Sequence, residues 1–125
     1  MIDHVSIPVR DLTAAGRFYD AVLQPLGLSR LVTRDGTIGF GKRYPEFWLN
    51  SRPDAAPVEN PGAHVCLRAA DEASVRAFHV TALRNGARDE RAPGERQGAM
   101  TPYFGAFILD PDGNKLEAVT FPEAS

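Results

Sequence analysis

The sequence predicts an α+β domain built from two βαβββ halves, and three observations predict it. Apolar residues alternate with period two from residue 2 and again from residue 63. Each alternating stretch is followed by an apolar stripe at helical spacing and then by further short alternating stretches. The halves also echo each other, since His4 and His64, Phe18 and Phe78, and Leu23 and Leu83 are each sixty residues apart. Past a longer loop in the second half the offset becomes sixty-nine, which sets Trp48 opposite Glu117. Neither half is large enough for a comfortable core alone. Residues 1–125 therefore read as a single domain, with module one over about 1–56 and module two over about 57–125.

Residues 2–9 are the first strand, with Val5, Ile7 and Val9 on one face and His4, Ser6 and Pro8 on the other. Asp11 is the predicted N-cap of a helix carrying Leu12, Ala15, Phe18, Tyr19, Val22 and Leu23 on one stripe. Pro25 and Gly27 stop it. Residues 28–33 and 37–41 flank Asp35-Gly36, a strong hairpin turn, and residues 47–50 are a short fourth strand. Residues 51–62, with Pro53, Pro57 and Pro61, read as a linker ordered against the body. The pattern restarts at residues 63–69, where Val65, Leu67 and Ala69 oppose His64, Cys66 and Arg68. Asp71 caps a second helix with Val75, Phe78, His79, Ala82 and Leu83, and Asn85-Gly86 ends it. Residues 87–91 are a short strand, residues 92–101 a polar loop, and residues 104–109 an apolar strand. The Asp110-Pro111-Asp112-Gly113-Asn114 turn feeds the last strand, where Leu116 and Ala118 face one way and Lys115, Glu117 and Val119 the other.

Composition narrows the function. A formal charge of −2 and a pI near 5.9 leave no basic footprint, so nucleic acid and anionic membranes are poor partners. No apolar run approaches the roughly 20 residues that span a bilayer. Cys66 is the sole cysteine and the chain opens directly on a strand pattern, which together predict a reducing, cytoplasmic setting.

Two halves that each bury one sheet face under a helix leave their other faces to line a shared concave surface. His4, His64 and Glu117 all fall on those free faces. Two imidazoles and one carboxylate on rigid strands hold a divalent ion while leaving positions open to water or substrate. Such an ion acts as a Lewis acid or activates a bound water. A carboxylate in mid-strand is itself unusual and calls for a partner.

The chain resembles the vicinal oxygen chelate superfamily, the group of glyoxalases, fosfomycin- and bleomycin-resistance proteins and extradiol dioxygenases. The resemblance is carried by Asp3-His4-Val5-Ser6-Ile7-Pro8-Val9-Arg10-Asp11-Leu12, Phe18-Tyr19, Leu26-Gly27 and His64-Val65, by the strand over 104–109, and by the Asp110–Asn114 turn running into Leu116-Glu117-Ala118. It implies two βαβββ modules forming a mixed-sheet cup paired across a homodimer. It also implies one divalent metal ion (Mn, Fe, Zn or Ni) held by His4, His64 and Glu117. Trp48 stands where glyoxalase I-like members carry a further carboxylate, so the pattern is that of the three-ligand members.

Glu117 and Tyr103 are the candidate catalytic residues, Tyr103 as a phenol able to orient or protonate an oxyanion. Trp48, Arg68, Tyr103 and Phe40 are the candidate substrate-binding residues: Arg68 through its planar fork, Trp48 and Phe40 as apolar wall or simply core, with the wall favoured for Trp48. Cys66 reads as an inert thiol, His79 as a packing residue and Lys115 as a solvated strand end. The function expected from this pattern is metal-dependent isomerase, lyase, thiol-transferase or dioxygenase chemistry on a small molecule with adjacent oxygens. The alternative is a metal-free, bleomycin-resistance-like protein that sequesters an aromatic or cationic small molecule.

Overall fold

Period-two alternation and two capped helical stripes give, in the computed structural model (which describes residues 1–59, 61–98 and 100–121), the element order β1 (Val5–Val9), α1 (Leu12–Leu23), β2 (Ser29–Arg34), β3 (Thr37–Gly41), β4 (Pro45–Ser51), β5 (Val65–Arg68), α2 (Glu72–Arg84), β6 (Arg88–Gln97), β7 (Pro102–Leu109) and β8 (Lys115–Thr120). The strands form two four-stranded sheets, ordered β1-β4-β3-β2 and β5-β8-β7-β6. In each, the first strand runs parallel to the last strand of its module and the other pairings are antiparallel. The repeat is thus a repeat of topology: Ser6 pairs with Trp48 in one sheet as Cys66 pairs with Glu117 in the other.

Both helices start as the caps predict. The Asp11 side chain accepts from the Ala14 amide at 3.1 Å, and Asp71 accepts from the Ser74 amide at 2.8 Å. Helix α1 tightens into a single 3-10 turn at Gln24–Leu26 and stops at Gly27, whose φ of 78° suits glycine. Glu72 in the first turn of α2 and Arg84 in its last turn complement the helix dipole.

Each helix covers one face of its own sheet. Phe18, Tyr19, Val22 and Leu23 pack on Val9, Ile38, Phe40, Phe47 and Leu49; Val75, Phe78 and Ala82 pack on Ala106, Ile108, Leu116 and Ala118. The helices also touch each other, so the two modules share one continuous core. The opposite faces, with Ser6, Trp48 and Gly39 in one sheet and Cys66, Glu117 and Phe107 in the other, are left uncovered by helix.

One segment departs from the sequence expectation. Residues 88–97, expected as a short strand (87–91) and the first part of a loop (92–101), instead form one ten-residue strand, β6, paired with β7; residue 99 of the expected loop lies outside the described residues. Its register shifts between Asp89 and Arg91 and again between Arg91 and Gly94. Those bulges absorb Pro93, which lacks a donor for the ladder. β6 is also an edge strand, where proline is tolerated.

The Asp-Pro-Asp-Gly-Asn turn ties the modules together. Asp110, 2% exposed, accepts the Tyr19 hydroxyl at 2.6 Å, the amides of Asp112 and Asn114 at 2.9 and 2.8 Å, and the Asn114 side chain at 3.0 Å. Asn114 also donates to the Pro8 carbonyl at 2.9 Å, and the Arg10 guanidinium and amide both donate to Asp112. Gly113 has a φ of 89°, and a Cβ there would collide with the Val58 carbonyl. The end of β1 and the start of β8 are therefore fixed to one hydrogen-bonded knot.

Candidate functional site

Strand pairing sets the site. Glu117 lies between Cys66 on β5 and Phe107 on β7, on the face that α2 does not cover. Tyr103, Gly105 and Phe107 alternate onto that face of β7, and Cys66 and Arg68 onto it from β5. His64, one residue before β5, reaches Glu117 with Nε2 3.1 Å from Oε1. Its ring meets Phe107 edge-on, with centroids 5.5 Å apart.

Glu117 is only 4% exposed, and among the described residues its Oε2 has no partner within hydrogen-bonding geometry, although the Cys66 thiol and the Tyr103 phenol both face the carboxylate. A buried polar oxygen left unpaired costs free energy, more so when charged. The oxygen therefore calls for a cation or a donor beside the imidazole. An N,O donor pair of this kind fits a divalent ion of the Mn, Fe, Zn or Ni type.

In front of the pair lies a cavity of about 610 Å³ bounded by His64, Tyr103, Phe107, Glu117, Val119 and Phe121. Tyr103 and Phe121 stand with ring centroids 6.2 Å apart, and the Arg68 guanidinium sits 4.8 Å from the Phe121 centroid. Arg68 therefore stacks at the cavity rim beside a ring. Burial first, and then the Glu117 carboxylate, hold the Tyr103 phenol pKa above its usual value, so it keeps its proton at neutral pH. Cys66 is exposed as a residue, but partial desolvation of its thiol, with the Glu117 charge second, pushes it up to about 12. A thiol so weakly acidic is not a nucleophile, in agreement with its reading as inert. Lys115 pairs with Glu90 at 3.8 Å and lies over the Phe107 ring at 4.8 Å.

His4 stands apart from this group. It precedes β1 by one residue and directs Nδ1 to Asp3 Oδ2 at 2.7 Å; the Tyr44 hydroxyl donates to the same oxygen at 2.7 Å. The bonds from Tyr44, then His4, lower the Asp3 pKa. His4, His64 and Arg68 border a second cavity of about 620 Å³. Among the described residues, however, no three His, Cys, Asp or Glu side chains gather as a metal-holding group. One chain thus brings His64, Glu117 and Tyr103 together but leaves His4 outside.

The other wall candidates divide by strand face. Trp48 pairs with Gly39 and lies on the open face, with the Arg34 guanidinium 5.9 Å from its ring. Gly39 is the residue that fits there, because a Cβ would come within 2.9 Å of the indole. Phe40, read as wall or core, borders the second cavity beside His4 and His64. It alternates onto the helix-covered face, is fully buried and packs on Tyr19 and Phe47 at centroid distances of 6.3 and 6.5 Å, so its ring also belongs to the core. His79, read as packing, is mostly buried and also bonds Asp89 at 2.8 Å. The sequence reading missed Phe107 and Phe121 as cavity walls. For Phe107 the signal was present, since it shares the alternation of Tyr103.

The family model described as Glyoxalase/Bleomycin resistance protein/Dioxygenase superfamily matches residues 1–118. A glyoxalase/bleomycin resistance protein from Albidiferax ferrireducens is 31% identical, with 94% of this chain and 96% of that chain covered and a TM-score of 0.81. Two more distant structures share the fold. The fosfomycin resistance protein FosX from Mesorhizobium loti is 17% identical over 98% of this chain and 92% of that chain, with a TM-score of 0.72. A bleomycin resistance determinant encoded on the transposon Tn5 is 19% identical over 94% and 95%, with a TM-score of 0.64.

Proposed function

Because the chain belongs to the Glyoxalase/Bleomycin resistance protein/Dioxygenase superfamily, we propose that it is a divalent-metal-dependent enzyme acting on a small molecule with adjacent oxygens. The reaction class is isomerase, lyase, thiol-transferase or dioxygenase. The observation that carries this reading is the buried, unpartnered Glu117 Oε2 beside His64 Nε2. Glu117 and His64 supply two ligands. Since His4 does not converge on them within one chain, we assign the third position to His4 of a second copy in a homodimer. A bound ion supplies Lewis-acid polarisation of a substrate oxygen.

The chain's own residues do the rest. Phe107, Val119 and Phe121 exclude water from the substrate, which strengthens every electrostatic contact inside. Tyr103 holds a proton on its phenol oxygen at the cavity wall, where it orients or protonates an oxygen that gains charge. Arg68 at the rim receives an anionic substituent. Trp48, on the open face of the first sheet, is the wall contributed from the facing module.

A second reading has its own observation. An aromatic-lined cavity with one buried carboxylate also suits an aromatic or cationic molecule held without metal. Elemental analysis of protein purified without chelator separates the two. About one ion per chain, lost in His4→Ala and Glu117→Ala, supports the enzyme reading. Metal-free protein whose stability ignores added Mn, Zn, Fe or Ni supports sequestration. Native mass tests the dimer, and the 1:1 mixing of His4→Ala with Glu117→Ala protein tests a shared site, because a mixed dimer restores one of its two metal sites.

A further inference from the structure

The hydrogen-bonded chain at the amino terminus has no part in the cavity in front of Glu117, but it lines the second cavity and ends on His4. One oxygen, Asp3 Oδ2, receives both His4 Nδ1 and the Tyr44 hydroxyl, each at 2.7 Å. An ionised carboxylate can only accept, so the imidazole proton must lie on Nδ1. The lone pair of a neutral His4 is then on Nε2, turned away from Asp3. We infer that Asp3 and Tyr44 are positioning residues that fix the tautomer and orientation of His4, so that it presents Nε2 to a divalent ion. This inference rests on the metal-dependent reading.

The local fold serves the arrangement. Val5 pairs with Phe47, so residues 3 and 4 run on beside the start of β4, where Tyr44 and Pro45 lie. The β3–β4 ladder slips between Phe40 and Gly41, and a Cβ on Gly41 would strike the Tyr44 carbonyl. Only a glycine at 41 lets the chain fold back tightly enough there, which sets the Tyr44 phenol on Asp3. His64 meets Glu117 through Nε2. By the same rule the proton of a neutral His64 lies on Nε2, toward Glu117, so of the two imidazoles only His4 has its Nε2 lone pair free.

The device orients rather than stabilises. The Asp3 and His4 side chains are 62% and 52% exposed, where an ion pair contributes little to folding. Outer partners of metal-bound histidines nonetheless change metal affinity by roughly 10–100-fold.

The test uses the full chain. In metal-free protein, nitrogen-15 NMR at a pH where His4 is neutral should report an Nδ1–H tautomer, and Asp3→Ala should shift it toward the Nε2–H form that free imidazole prefers. Calorimetric titration with Zn and with Mn should then show binding weakened by roughly 10–100-fold in Asp3→Ala and by less in Tyr44→Phe, with melting temperatures close to wild type. An unchanged tautomer in Asp3→Ala overturns the inference. So does a changed tautomer with unchanged affinity, while leaving the metal reading intact. Wild-type protein that binds neither ion sinks the metal reading itself, and the role of Asp3 and Tyr44 falls with it.

Discussion

Replacing Tyr19 by Phe removes a single buried hydroxyl from the knot that joins the modules. The hydroxyl donates to Asp110 Oδ2 at 2.6 Å, and both residues are almost wholly buried. The ring keeps its packing, with Phe18 and Phe47 centroids at 4.8 and 5.2 Å, so the loss is confined to the hydrogen bond. A bond to a charged group contributes about 1.5–3 kcal/mol. Asp110 retains three N–H contacts, from the Asp112 and Asn114 amides and the Asn114 side chain. The carboxylate is therefore not stranded, and a loss of about 2 kcal/mol is expected. For a chain of this length that lowers Tm by roughly 6–10 °C.

The same change carries a pH signature. Burial raises the Asp110 pKa, while the bonds from Tyr19 and Asn114 hold it down. The variant's folded-state pKa should therefore lie higher than that of wild type. A carboxyl whose folded pKa is raised adds stability below its unfolded pKa and loses it as pH rises through the folded pKa. The variant begins that loss at the same unfolded pKa but continues it to higher pH. The gap between the proteins is thus largest at neutral pH and narrows as pH falls through the folded Asp110 values. Urea unfolding at about pH 7 and about pH 4.5, compared at equal m-value, measures it. A neutral-pH loss below about 0.5 kcal/mol, or a gap that widens in acid, would refute the assigned role of the bond.

Gly113→Ala should cost roughly 2–4 kcal/mol, from the strained positive φ and the collision with the Val58 carbonyl, and thermal unfolding would show it. At an ion concentration about 100 times Kd, wild-type stability should rise by about 2.7 kcal/mol, whereas Glu117→Gln should show no metal-dependent rise in a thermal melt. Alkylation of Cys66 should accelerate about tenfold per pH unit until its pKa of about 12 is approached, and a plateau near neutral pH would contradict the burial argument. Tyr103→Phe should lower kcat by about 10²–10⁴-fold with little change in substrate affinity, measured once a substrate is in hand.

Local patterns carried most of the architecture. The caps at Asp11 and Asp71, the glycine stop at Gly27 and the alternation around Val5, Val65 and Leu116 each depend on neighbours within a few residues. So they were readable in order along the chain. The β6 strand was not, because Pro93 and Gly94 look like a loop until an edge position and two bulges accommodate them. The apposition of His64 and Glu117 was foreshadowed by their shared face, since alternation fixes which way a strand side chain turns. The same rule separates Phe40 from Trp48: one residue from Gly39, it belongs to the opposite face.

The sequence by itself determined the duplicated modules and the two helix-covered sheet faces, because period and spacing are local properties. The tertiary structure alone decided that Glu117 keeps a buried oxygen without a partner among the described residues, that Asp110 and Tyr19 lock the modules, and that His4 bonds Asp3 beside Tyr44. Those facts depend on contacts between residues distant along the chain. Such contacts are set by how the sheets and helices pack, which no local pattern encodes.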